Sequence, residues 1–216
     1  MACITENYLN DHTLVGIWKI EEDLETLLSM VEMDQFDKKR YKTFRSTSRR
    51  LEFLSVRALL KELLGPHARI VYNKNNKPFL KDGSHYISIS HSNKLSAIML
   101  STCEKTGIDL EYMSSNISKI SFRFINKREK ITRERDRKRY HLYLHWCAKE
   151  ALYKICDKEG INIKKNITIY PFELADSGEI KGKVHTEHIN EIFDLHYTRY
   201  DNYALVWTNK MYDDCP

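Results

Sequence analysis

Asp109 and Glu111 stand two residues apart in the stretch TGIDLEYM, just after Gly107. An apolar run (Leu95, Ala97, Ile98, Met99, Leu100) leads toward them. Side chains at i and i+2 of a strand share a face, so the two carboxylates lie side by side and repel unless something positive sits between them. Further along, in HWCAKEALYK, Trp146, Glu150 and Tyr153 or Lys154 share one face of a helix. Alone, Glu150 and Lys154 read as an ordinary i,i+4 surface pair worth a few tenths of a kcal/mol, roughly. Alone, GIDLE reads as a solvated strand end. If Glu150 faces Asp109 and Glu111, however, three carboxylates converge on a hard-cation site. Mg²⁺ suits such a site, because it takes few protein oxygens and completes its shell with water and substrate phosphate. Phosphate chemistry also needs fixed positive groups, and Lys149, Lys154, Lys77, His91, Arg49 and Arg50 are candidates. His141 and His145, four apart on a helix, lack a third nearby ligand and read as structural.

The elements that position these residues follow from periodicity. LVGIWKI opens the first half as a strand. A helical stretch runs from DLETLLSM through KKRYKTFR to SRRLEFLSVRALLKELLG, where Gly65-Pro66 stops it. ARIVY, a polar turn NKNNKP, PFL and HYISIS follow as strands, and HSNK turns the chain back into LSAIML. The second half repeats that order. ISFRFIN begins a helical region, YHLYLHWCAKEALYKICDKEG is a long helix ending at Gly160, and NITIYPFEL, FDLHYTRY and YALVW are strands. Asp201-Asn202 makes a tight turn between the last two. Long helix followed by antiparallel strands, twice, is α+β, with a boundary near residue 104. The domains are therefore 1–104 and 105–216.

Composition narrows the function. The 216 residues are 42% hydrophobic with 7 Gly and 4 Pro, so disorder is not indicated. A net charge of +5 suits an anionic ligand or acidic partner without demanding nucleic acid. The sequence predicts no signal peptide and no membrane span. Five scattered cysteines, never in a CxxC pair, predict free thiols in a reducing cytoplasm.

The order GIDLE, then WCAKEALYK, resembles the signature of the 4′-phosphopantetheinyl transferase superfamily. The resemblance is to its longer, monomeric class, the type that activates surfactin synthetase and other carrier-protein assemblies. Upstream, NKPFL is similar to the family's Gly-Lys-Pro segment, ISISHS to its Ser-His-Ser segment, and SRRLEFLSVRALLKELLG to its arginine-bearing first helix. Four matches in register cover most of the chain. Asn76 replaces the usual glycine before Lys77, and Asn tolerates positive φ. Cys147 stands where serine or threonine is commoner.

The resemblance implies a cytoplasmic enzyme that moves the 4′-phosphopantetheine arm of coenzyme A onto a serine of an apo acyl or peptidyl carrier protein, as in fatty acid biosynthesis. Adenosine 3′,5′-bisphosphate is released. It implies two similar subdomains about a pseudo-twofold axis, with the site between them. Asp109, Glu111 and Glu150 become the Mg²⁺ ligands. Glu150, directly or through a metal-bound water, accepts the serine proton. Lys154 contacts the phosphates with Lys149 beside it, and Lys77, Ser90 and His91 hold coenzyme A. Arg49 or Arg50 binds the 3′-phosphate, with Arg57 as an outside choice. Without the resemblance, His91 reads as a satisfied histidine at a core edge.

The run KREKITRERDRKR, Lys127 to Arg139, carries eight basic residues against three acids. It reads either as a solvated helix laced with i,i+4 pairs or as the docking site for an acidic carrier protein. Two rival functions are a Mg²⁺-dependent nuclease and a nucleic-acid-binding module that stacks bases on its 13 Tyr and 8 Phe. The first leaves the Lys-Pro and Ser-His-Ser segments unexplained. The second needs exposed aromatics, whereas these fall in core patterns.

Overall fold

The computed structural model describes residues 4–114, 116–156 and 160–211. Strands β1 (Ile4–Asn10) and β2 (Thr13–Lys19) form a hairpin, followed by helices α1 (Leu24–Met30), α2 (Gln35–Thr43) and α3 (Thr47–Leu64). Asp23, Asp34 and Ser46 cap the three helix starts by accepting main-chain N–H bonds, so one predicted helical stretch breaks into three. Gly65, at φ 85°, ends α3 as the sequence predicts. Then come β3 (Ile70–Tyr72), β4 (Pro78–Leu80), β5 (Tyr86–Ser92) and β6 (Leu95–Ser101). Asn76 in the turn before β4 has φ 59°, the conformation for which Asn substitutes for glycine.

The chain changes sheets after β6. One antiparallel sheet has the order β1-β2-β6-β5; β7 (Glu104–Tyr112) opens the other. After short helical turns at Ile117–Ile120 and Ser121–Arg123, the long helix α4 (Arg135–Ile155) crosses that second sheet. A one-turn helix α5 (Ile163–Asn166) leads into β8 (Ile167–Ile169), β9 (Ser177–His185), β10 (Asn190–Tyr200) and β11 (Tyr203–Met211). The second sheet runs β7-β11-β10-β9-β8. Asp201, at φ 49°, makes the predicted turn between β10 and β11. The mixture of helices and antiparallel sheets is α+β.

Three apolar clusters hold the layers. One packs α1 and α3 on the first sheet around Trp18, Leu54 and Leu59. A second packs α4 on the second sheet around Leu144, Ala148 and Leu152. The third lies between the two sheets, where Val15, Ile17 and Met99 meet Ile108, Leu110 and Leu205. The facing edge strands are stitched by side chains. The hydroxyls of Ser88, Ser90 and Ser92, all on one face of β5, accept the main-chain N–H of Ile108, Leu110 and Tyr112 on β7 at 3.0–3.1 Å.

Several expectations are corrected. Strands β1 and β9 were not foreseen, because their sequences (ITENYLN and SGEIKGKVH) are polar or exposed along much of their length. NITIYPFEL forms strand only at Ile167–Ile169, and α4 ends at Ile155 rather than at Gly160. Residues 127–134 of the basic run precede α4 and are not helical. Cys147 and Cys156 are free thiols, but Cys103 is disulfide-bonded. Scatter along a sequence does not fix separation in space. Cys3 and Cys215 lie outside the described residues. Among the described residues, no helix is long and apolar enough to cross a membrane.

Candidate active site

Helix α4 and strand β7 approach unusually closely at Gly107. A Cβ there would lie 2.3 Å from the Ala151 carbonyl oxygen. The glycine lets the helix settle against the strand, bringing the Trp146–Lys154 face over Asp109 and Glu111. Lys154 Nζ donates to Asp109 Oδ1 and to the Ile108 carbonyl, both at 2.7 Å. Trp146 Nε1 donates to Glu111 Oε1 at 3.3 Å. From β5, Ser90 Oγ donates to Asp109 Oδ1 (2.9 Å) and Ser92 Oγ to Glu111 Oε2 (2.7 Å).

The two carboxylates are crowded, Asp109 buried and Glu111 half-buried. Burial, then the Asp109 charge, pushes Glu111 above the ordinary carboxylate range, and bonds from Ser92 and Trp146 pull it partly back. Burial and the same two charges push the neighbouring Cys147 thiol up. Asp109 Oδ2 is buried with no hydrogen-bond donor, a costly state for a carboxylate oxygen. An orphaned oxygen beside a second strained carboxylate fits a hard cation. Among the described residues, no three His, Cys, Asp or Glu side chains stand together as a metal site. The structure joins Asp109 and Glu111, and Glu150 sits half-buried on the same helix as their partners Trp146 and Lys154.

Beside the carboxylates opens a cavity of about 200 Å³, walled by α2, α3, β4 and β5 on one side and by Thr106 and Lys154 on the other. Arg49, Lys77, His91 and Lys154 line it, so four of the predicted coenzyme-binding residues share one space. Buried Glu52 accepts from Arg49 at 2.8 Å and lies 3.3 Å from His91 Nδ1. Burial pushes His91 below its usual value, and Glu52 offsets part of that.

Other predicted residues are placed differently. Lys149, expected beside the phosphates, does not line the cavity: it is fully buried on α4, bonded to the Phe124 and Ile167 carbonyls and to Glu129. An ammonium has three donors, and these acceptors engage them away from the cavity. Burial lowers its proton affinity, and Glu129 partly restores it. Arg50 does not line the cavity either. Its Nε donates to the Phe44 carbonyl and its guanidinium lies over Tyr41, so it fixes the α2–α3 corner. Arg57 reaches the cavity but is tied to buried Asp37. Ser90 serves Asp109 and the β7 edge. Arg40, which sequence reasoning missed, lines the cavity with its guanidinium 3.9 Å from the centre of the Tyr72 ring. Nothing in KKRYKTFR distinguishes it from its basic neighbours.

The basic run divides. Glu129 is buried, holding Lys149 and accepting from the Asn126 and Ile169 N–H groups. Lys127, Arg128 and Lys138 instead line a broad trough of about 1220 Å³, opposite Lys164, Lys165 and Lys183. His141 accepts the Thr132 N–H, and His145 Nδ1 lies 3.0 Å from the His141 carbonyl. Both rings pack on Phe172, as structural residues do.

A crowded carboxylate pair, a lysine at its edge and a basic cavity alongside can hold an anionic ligand. Residues 105–208 are similar to the model of the 4′-phosphopantetheinyl transferase superfamily. Over 161 residues, 65% of this chain and 67% of the relative, it is 26% identical to the 4′-phosphopantetheinyl transferase HetI of Nostoc sp. strain PCC 7120.

Proposed function

We propose that the chain transfers the 4′-phosphopantetheine arm of coenzyme A to a serine hydroxyl of an apo carrier protein. The serine oxygen forms a bond to the phosphorus bearing the pantetheine arm. The bond from that phosphorus to the bridging oxygen breaks, adenosine 3′,5′-bisphosphate leaves with the electron pair, and the serine proton passes to Glu150. The observation that carries this reading is the Asp109–Glu111 pair, inside the matched residues 105–208 and edged by Lys154, which also lines a cavity that Arg40, Arg49, Lys77 and His91 supply from earlier in the chain. Asp109, Glu111 and Glu150 would hold Mg²⁺, which when bound supplies positive charge to the pyrophosphate.

Arg49, Lys77, His91 and Arg40 bind the phosphates and nucleotide of coenzyme A. Lys154 neutralises charge where the cavity meets the carboxylates. The trough lined by Lys127, Arg128 and Lys138 receives the acidic carrier. The longer, monomeric class and cytoplasmic action belong to the same reading. So does a pseudo-twofold division into 1–104 and 105–216, supported by a long helix on an antiparallel sheet in each half.

The test is intact-mass spectrometry of an apo acyl carrier protein incubated with the chain, coenzyme A and Mg²⁺. A gain of one phosphopantetheine, abolished by a chelator and by Glu150→Gln, is the expected result. No gain with several carriers, from a chain that also fails to bind coenzyme A, refutes the proposal.

A further inference from the structure

The serines of β5 do two things at once. Each hydroxyl of Ser88, Ser90 and Ser92 accepts one main-chain N–H from β7, which closes that sheet edge. Ser90 and Ser92 then turn their own protons onto Asp109 Oδ1 and Glu111 Oε2, at 2.9 and 2.7 Å. Ser88 has no corresponding bond to either carboxylate. The bond to Ser90, with the one to Lys154, fixes Asp109 so that Oδ2 is the oxygen left without a donor. The bond to Ser92, with the one to Trp146, fixes Glu111 from both oxygens. A hydroxyl with one lone pair held by a rigid N–H has two staggered positions left for its proton, and Ser90 and Ser92 each direct one of them at a carboxylate, so the strand edge helps set how both carboxylates turn.

We infer that Ser90 and Ser92 are positioning residues that orient Asp109 and Glu111 for a divalent cation, the first half of the chain thereby setting the geometry of ligands carried by the second. The inference rests on the cation role proposed above for those two carboxylates. It assigns Ser90 a task other than contact with coenzyme A, and it gives Ser92 a role in the site. Hydrogen-bonded partners of metal ligands typically govern affinity by 10- to 100-fold, roughly.

The decisive feature is that Ser88 is an internal control, since it closes the same edge without touching a carboxylate. Mn²⁺ is titrated into the wild type and into Ser88→Ala, Ser90→Ala, Ser92→Ala and Ser92→Thr with coenzyme A present. Free Mn²⁺ is read by electron paramagnetic resonance and stability by thermal melts. All three alanine variants should lose thermal stability. The Mn²⁺ Kd should rise about tenfold or more in Ser90→Ala and Ser92→Ala, stay at the wild-type value in Ser88→Ala, and recover in Ser92→Thr, which keeps the hydroxyl. Equal Mn²⁺ affinity in all variants, or an equal loss in Ser88→Ala, overturns the positioning role and leaves the transferase reading standing. A wild-type chain that binds coenzyme A but no Mn²⁺ overturns this inference together with the cation role assigned to the carboxylates.

Discussion

Replacing Gly107 by alanine tests the geometry of the site without touching a charged group. The added Cβ would meet the Ala151 carbonyl oxygen at 2.3 Å and Ile155 Cβ at 3.3 Å. The oxygen is helix backbone and cannot rotate aside, so α4 and β7 must part by about 1 Å to restore ordinary contact. Lys154–Asp109 at 2.7 Å and Trp146–Glu111 at 3.3 Å span that same gap. Opening them by such a distance takes both to or beyond the limit of hydrogen bonding. Overpacking of this kind costs about 2–3 kcal/mol, which for a chain of this size lowers Tm by roughly 5–10 °C. A displacement of about 1 Å at reacting groups costs on the order of 100-fold in rate. Gly182→Ala is the control. Its Cβ, on β9 of the same sheet, would press only on the Leu152, Leu195 and Ile169 side-chain tips, which can yield. Carrier loading followed by mass spectrometry, beside thermal melts, reads both effects. Gly107→Ala with wild-type Tm and wild-type loading would refute the argument that close approach builds the site.

Lys149→Met should lower stability by about 3–5 kcal/mol by leaving Glu129 charged and buried, with coenzyme A affinity in the surviving folded fraction unchanged. Melts and calorimetry check this, and adding Glu129→Gln should recover part of the loss. His145 is held neutral by burial, with its pKa pushed down to about 3. Below about pH 6.5 the unfolded chain takes up a proton there that the folded chain refuses, so stability should fall with pH by about 1.4 kcal/mol per unit from this group. His145→Asn should flatten the slope in denaturant melts between pH 7 and pH 5; an unchanged slope counts against it. Lys127→Glu with Arg128→Glu should raise the KM for carrier protein several-fold while the coenzyme A Kd holds. Equal loss of both would remove the docking role.

Much of the site was legible because it depends on local spacing. Asp109 and Glu111 share a strand face and Trp146 and Lys154 share a helix face, but the close approach of helix and strand at Gly107 emerged only from the structure. The turns at Asn76 and Asp201 were legible from their tolerance of positive φ. What escaped depends on distant partners. Lys149 lies beside Glu150 in sequence, yet the helical turn of about 100° per residue sends it to a different face, where Glu129 and two carbonyls wait. Arg49 and Arg50 separate for the same reason. Arg40 joins the cavity only through the packing of α2 against β3. The polar strands β1 and β9 carry too little apolar alternation to be seen.

The sheet order has a consequence for how the protein comes to be active. β7, the strand bearing both carboxylates, pairs in its own sheet only with β11, which lies on the order of a hundred residues later in the chain. The first sheet takes all its strand pairing from residues before β7, and from β11 it receives the Tyr203 and Leu205 contacts of the cluster between the sheets. The carboxylate strand cannot be seated until β11 has emerged and threaded between β7 and β10. The slow, long-range closure is therefore the step that creates the site. A chain interrupted before β11 leaves β7 without its partner in the sheet, and so without a seated carboxylate pair.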